Sequence, residues 1–120
     1  MKRGALIRED GSLVVPLAWR ADRWWTRLRG LLFRAPLDRG GAEGLLITPC
    51  ASVHTIGMRY PLDLVFLDRG QRVVGWKADV APWRMAACRH AASTLELHAG
   101  ALETLQPRLG EHWQWQPSAG

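Results

Sequence analysis

Residues 44–68 read Gly44-Leu45-Leu46-Ile47-Thr48-Pro49-Cys50-Ala51-Ser52-Val53-His54-Thr55-Ile56-Gly57-Met58-Arg59-Tyr60-Pro61-Leu62-Asp63-Leu64-Val65-Phe66-Leu67-Asp68. The outer parts, Leu45 to Ile47 and Leu64 to Leu67, are short unbroken apolar runs bounded by Gly, Pro and Asp, the pattern of strands buried on both faces. Between them stand His54, Thr55, Arg59 and Asp63, side chains that a core does not select. Gly57 lets the backbone bend and Pro61 fixes a turn, so these polar residues are expected to fold back together at the rim of a concavity.

Downstream, Asp68-Arg69-Gly70-Gln71 is a tight turn that pairs Leu64–Leu67 with Val73–Trp76 as an antiparallel hairpin. Residues 79–90 hold no sustained period and read as an ordered loop. Ser93–Leu97 alternates as a strand, with Leu95 and Leu97 on one face and Glu96 on the other. A short helix opens near Gly100 and ends before Pro107, and His112–Gln116 forms a last strand with Trp113 and Trp115 on one face. Upstream, Ala5–Ile7 and Leu13–Val15 make a hairpin, and Pro16 places the second run at an edge or ends its pairing. From Ala21 the period changes: at about 100° per residue Ala21, Trp24, Trp25, Leu28, Leu31 and Leu32 fall on one side. That amphipathic helix carries Arg20, Arg23, Arg27 and Arg34 on one flank and cannot pass Pro36.

These elements imply an α+β, mostly β fold. The expected architecture is a mixed, largely antiparallel, barrel-like sheet holding Leu45, Ile47, Val65, Leu67, Leu95 and Leu97, with the helix packed on it through Trp24, Leu28 and Leu31. The 120 residues, 48% hydrophobic and 22% charged, suit a single domain spanning residues 1–120 with a flexible tail at 116–120.

The formal net charge of +5 comes from 16 basic residues, of which only Lys2 and Lys77 are lysines. An arginine-rich helix flank is a solvated face or a phosphate-binding stripe, and nucleic acid is not the expected partner. Cys50 and Cys88, with no Cys-x-x-Cys pair, are expected to be reduced and buried, without a metal or a disulfide. Charge returns within four residues of Gly4 and no apolar run approaches a membrane span, so the expected setting is the cytoplasm.

Arg27-x-x-Gly30-Leu31-Leu32, the block Gly44 to Asp68, Leu95-Glu96-Leu97-x-Ala99-Gly100 and Gly110-Glu111 together resemble the domain-of-unknown-function family 192 of bacteria and archaea. The resemblance covers about residues 13–115 in order, with Leu32 where the family usually has Met, a swap that conserves volume. It implies a β-rich domain with one main helix, and it brings no catalytic assignment.

The candidate ligand-binding residues are His54, Thr55, Arg59, Asp63 and Glu96. Asp63 opens the most apolar strand and must find donors there; Arg59, four residues earlier, is the expected partner in a structural clamp. His54 is a hydrogen-bonded core residue or a ligand-facing group. Glu96 is a solvated residue on the sheet exterior or faces the same hollow as Arg59. Neither a Gly-x-Ser-x-Gly elbow around Ser52 nor a phosphate loop around Gly40-Gly41 stands in the right context. The expected function is therefore a non-enzymatic small-ligand binding or accessory module, with no cofactor and no metal, a small molecule or a protein as partner, and a monomer or weak dimer as its state. The alternatives are a small enzyme using His54 and Asp63 as acid-base groups, and nucleic-acid binding through the helix flank.

Overall fold

The computed structural model describes residues 2–21, 37–49, 60–82 and 84–118, and residues 52–54 as backbone. The strands are β1 (Lys2–Ile7), β2 (Leu13–Ala21), β3 (Glu43–Ile47), β4 (Ser52–His54), β5 (Leu62–Leu67), β6 (Val73–Val80), β7 (Met85–Ala87), β8 (Ser93–His98) and β9 (Gln114–Pro117), with α1 (Ala101–Leu105) between the last two. β6-β5-β8-β3-β2-β1-β9 is the order of a seven-stranded sheet, and β4 and β7 form a separate two-stranded ribbon. Within the large sheet β2 and β3 run parallel and every other neighbouring pair is antiparallel. The fold is α+β and mostly β, as the sequence implies.

β5 and β8 lie inside the sheet and are buried along their whole length, which is why Leu62–Leu67 is an almost unbroken apolar run. Leu45, Ile47, Val65, Leu67, Leu95 and Leu97 are all in the core. They divide between two apolar clusters, one on each face of the sheet. One cluster joins Leu46, Val65, Leu67, Leu95 and Leu97 to Ala101 and Leu105 of α1 and to Trp113. The other joins Leu45, Ile47, Leu62, Leu64 and Phe66 to Ala86 of β7, so the ribbon covers that face.

The hairpin turn at Asp68–Gln71 forms as the sequence predicts. Asp68 Oδ1 accepts from the backbone N–H of Gly70 and of Arg72, both at 2.9 Å. At the opposite end of the sheet β1 meets β9 closely at Gly4, where a Cβ would collide with the Gln116 carbonyl oxygen and the Trp115 ring. Glycine is what lets the two strands and the indole share that space.

Five expectations change. The strand order is not closed into a barrel; among the described residues, 110–113 join the two edges at one end, through Val73 N–H to Glu111 O and Gly110 N–H to Val73 O, each 2.8 Å. Pro16 does not mark an edge strand: β2 is internal, and Pro16 falls at the register shift between the pairs Leu6–Val15 and Gly4–Ala18, just before the parallel pairing to β3 begins at Leu17. A missing N–H costs little at such an irregularity. Residues 79–90 are not all loop, since β6 continues to Val80 and β7 occupies Met85–Ala87. Ala21 does not open a helix but ends β2; the rest of the expected helix, including Trp24, Leu28, Leu31 and its arginines beyond Arg20, lies outside the described residues. Cys88 is a free, half-buried thiol, less enclosed than expected, and Cys50 lies outside the described residues. Among the described residues no helix is long and apolar enough to cross a membrane.

Candidate functional site

Side chains alternate across a sheet, so the continuous β5–β8 register assigns each polar residue to a face. Asp63 stands opposite Leu97, on the α1 side. Glu96 stands opposite Leu64 on one neighbour and Leu45 on the other, on the ribbon side. The sheet separates the two candidate carboxylates.

Asp63 is 1% exposed. Its Oδ1 accepts from the Asp79 N–H at 2.8 Å, and its Oδ2 accepts from the N–H groups of Gly100 and Leu102 at 3.0 and 2.9 Å. Three backbone donors around one buried carboxylate supply the satisfaction that such a group requires. They also tie β5 to the end of β6 and to the first turn of α1, where Gly100 caps the helix without a side-chain bond of its own. Arg59, the partner expected from the sequence, lies outside the described residues, as does Thr55.

On the ribbon side, β8 presents Thr94, Glu96 and His98 in succession, all buried. Glu96 at 1% exposure is buried, not a solvated residue of the sheet exterior; the hollow it is expected to share with Arg59 involves a residue outside the described ones. The His98 ring stacks on Tyr60 with centroids 4.8 Å apart and planes 5° from parallel. Its Nδ1 lies 3.0 Å from the Ala99 carbonyl oxygen. A carbonyl only accepts, so Nδ1 carries a hydrogen in this contact and the ring orientation is fixed by it. The Tyr60 hydroxyl in turn accepts from the Leu37 N–H at 3.2 Å. His54 belongs to β4, paired with Met85 of β7, on this same side of the sheet.

Sequence reading missed Thr94, His98 and Tyr60 as members of this group. The alternation that puts Leu95 and Leu97 on one face already puts Thr94, Glu96 and His98 on the other. That signal was available; the stacking of Tyr60 across a chain reversal was not. Among the described residues no group of three or more His, Cys, Asp or Glu is placed to hold a metal ion.

The model of the DUF192 family, described as uncharacterized ACR, matches residues 5–115. The chain is 30% identical over 101 residues to UPF0127 protein PF1050 of Pyrococcus furiosus, covering 79% of this chain and 83% of that protein. It is 28% identical over 102 residues to a UPF0127 protein of Thermococcus sibiricus, covering 80% of this chain and 64% of that longer protein. Among solved structures, a candidate transcription regulator of Sinorhizobium meliloti 1021 superposes with a TM-score of 0.73 at 21% identity, over 95% of this chain and 92% of that one. A protein of unknown function from Novosphingobium aromaticivorans superposes with a TM-score of 0.71 at 20% identity, over 94% and 84%. At such identities the two structures show a shared fold and nothing about activity. The family match over nearly the whole chain confirms the resemblance carried by residues 44–68: the protein belongs to the DUF192 family.

Proposed function

We propose that this protein is a cytoplasmic small-ligand binding or accessory module without a chemical step of its own, whose recognition surface lies on the ribbon side of the sheet and uses His54, Thr55, Arg59 and Glu96. The observation that carries the reading is the row Thr94, Glu96 and His98, three buried polar side chains at successive same-face positions of an internal strand. The other face of the same strand is occupied by Leu95 and Leu97, with Ser93 at its start, also buried. A fold gains nothing from desolvating such a row where apolar residues would pack, whereas a binding site needs a few convergent polar groups in an apolar surround. His98 contributes a ring oriented through Nδ1, and Tyr60 stacks on it.

Asp63 enters this reading as the anchor of the frame. Its two oxygens are engaged by three backbone N–H groups on the opposite face. That placement weighs against the enzyme alternative, which asks the same carboxylate to exchange protons beside His54.

A thermal-shift screen of the full chain against metabolites and sugars tests the proposal. At least one compound is expected to raise the melting temperature of the native chain, with His54→Ala melting at the same temperature but losing the shift. If His54→Ala lowers the melting temperature as far as Asp63→Ala does, the histidine is a core residue and the reading is wrong.

A further inference from the structure

A cleft of about 330 Å³ opens on the other side of the sheet, away from the ribbon, at the ends of β2, β3, β5 and β8. Its apolar wall is made by Leu46 and Leu67, members of the α1-side cluster, and by the indole of Trp115. Its polar wall is made by Arg20, Arg69, Thr48, Ser93 and Gln71. We propose that this cleft is a second binding site, for a small organic oxyanion whose phosphate or carboxylate is held by Arg20 and Arg69 and whose flat apolar body lies against Trp115.

The charge balance comes first. Among the described residues neither Arg20 nor Arg69 has a carboxylate within ion-pair distance. Asp68, the acidic residue in the cleft wall, has its Oδ1 committed to the turn N–H groups of Gly70 and Arg72. Two guanidinium groups against one carboxylate leave the cleft cationic.

The second observation is Ser93. It is 8% exposed, it lines the cleft, and its hydroxyl has no hydrogen-bond partner among the described residues. Buried hydroxyl groups are normally paired, and one that faces a cavity without a protein partner marks the position of a bound polar atom. Gln71 adds a donor: its Oε1 accepts from the backbone N–H of Trp115 at 2.8 Å, which leaves the side-chain NH₂ available.

Trp115 is a prepared surface. Its indole N–H donates to the Ala18 carbonyl oxygen at 2.8 Å, its ring edge packs against Gly4, and the Arg20 guanidinium lies 5.3 Å from its ring centroid. A guanidinium held over an aromatic ring by cation–π attraction still has N–H groups to offer a bidentate oxyanion, which a lysine could not do. The volume falls at the lower end of the range for small-molecule pockets, enough for a ring bearing one anionic group.

The test is a titration of the full chain, labelled at its indole nitrogens, with phenyl phosphate, benzoate and phenol, followed by NMR at the Trp115 N–H resonance; Trp115→Phe assigns that resonance. Phenyl phosphate or benzoate should shift it saturably while phenol does not, and the stronger of the two arms identifies the anionic group. The double variant Arg20→Gln/Arg69→Gln should bind at least about tenfold more weakly, as expected for lost charge-assisted hydrogen bonds, with its melting temperature unchanged. His54→Ala should bind both anions like the native chain, which keeps this site distinct from the one on the ribbon side. No saturable shift up to about 10 mM of either anion, a concentration at which even a millimolar site fills, overturns the proposal. So does equal binding by the double arginine variant.

Discussion

The two faces of β8 are built from the same six residues and do different work. Toward α1 the strand offers Leu95 and Leu97, which join Val65, Leu67 and Trp113 in a continuous apolar cluster. Toward the ribbon it offers Thr94, Glu96 and His98 among Leu45, Leu62, Leu64 and Phe66. Of the buried polar residues on the α1 side, Asp63 is held by three backbone N–H groups, and Ser93 lines the cleft at the start of the strand. Away from that cleft the α1 face is apolar and tied to the backbone through Asp63, whereas the ribbon face carries three buried polar side chains in a row.

The largest effect should come from Asp63→Ala, which leaves three buried N–H groups without their acceptor and frees α1 from the sheet. Chemical denaturation should show a loss of roughly 4 kcal/mol, counting about 1–3 kcal/mol for each stranded donor and some relaxation. A loss below about 1 kcal/mol would mean that the anchor is dispensable and that the α1 face is not closed by it. Leu95→Ala, on the same face, should cost about 3 kcal/mol in the same measurement, through lost burial and the cavity left behind.

Glu96→Gln sharpens the contrast on the other face. It keeps the shape and most of the hydrogen-bonding capacity of the side chain while removing its charge, so the stability change should stay within about 1 kcal/mol. A change as large as that of Leu95→Ala would place Glu96 among the structural residues and erase the difference between the two faces. The smallest effect belongs to the hairpin tip between β1 and β2, where the Ser12 hydroxyl and its backbone N–H, the latter at 2.8 Å, hold the Asp10 carboxyl below its ordinary pKa. A depressed aspartate stabilises the fold above its unfolded-state pKa, and that contribution disappears as pH falls through the folded-state value. Asp10→Asn should therefore lower the melting temperature slightly at neutral pH and not at all in strong acid.

Local pairings were legible in the sequence because their determinants are adjacent. The Asp68 turn, the alternation of Ser93–Leu97 and the Gly100-to-Pro107 helix each sit inside one short window. The parallel pairing of β2 with β3 was not, because its partners, Leu17 with Glu43 through Ala21 with Ile47, are joined by no local turn signal. β7 was missed because three residues with one buried position give no period. For the site, burial of Asp63 was readable from its apolar flanks, but not its donors. These come from residues 16, 37 and 39 positions away, where sequence proximity had suggested Arg59. Alternation assigns Glu96 a face and says nothing of what covers it; the ribbon carrying Ala86 packs on that face, and Glu96 is buried there.

The bonds between residues 110–113 and the start of β6 bear on self-association. An exposed sheet edge is a template for pairing with another molecule. Here the first part of that edge is occupied by Val73 N–H to Glu111 O, Gly110 N–H to Val73 O and Trp113 N–H to Gln71 O. The remainder carries Lys77 and Asp79, both exposed, and charge on an edge discourages stacking of a further strand. The amides of Val73, Gly110 and Trp113 should therefore exchange with deuterium more slowly than those of the outer strand end, and loosening this seam should promote polymerisation along β6.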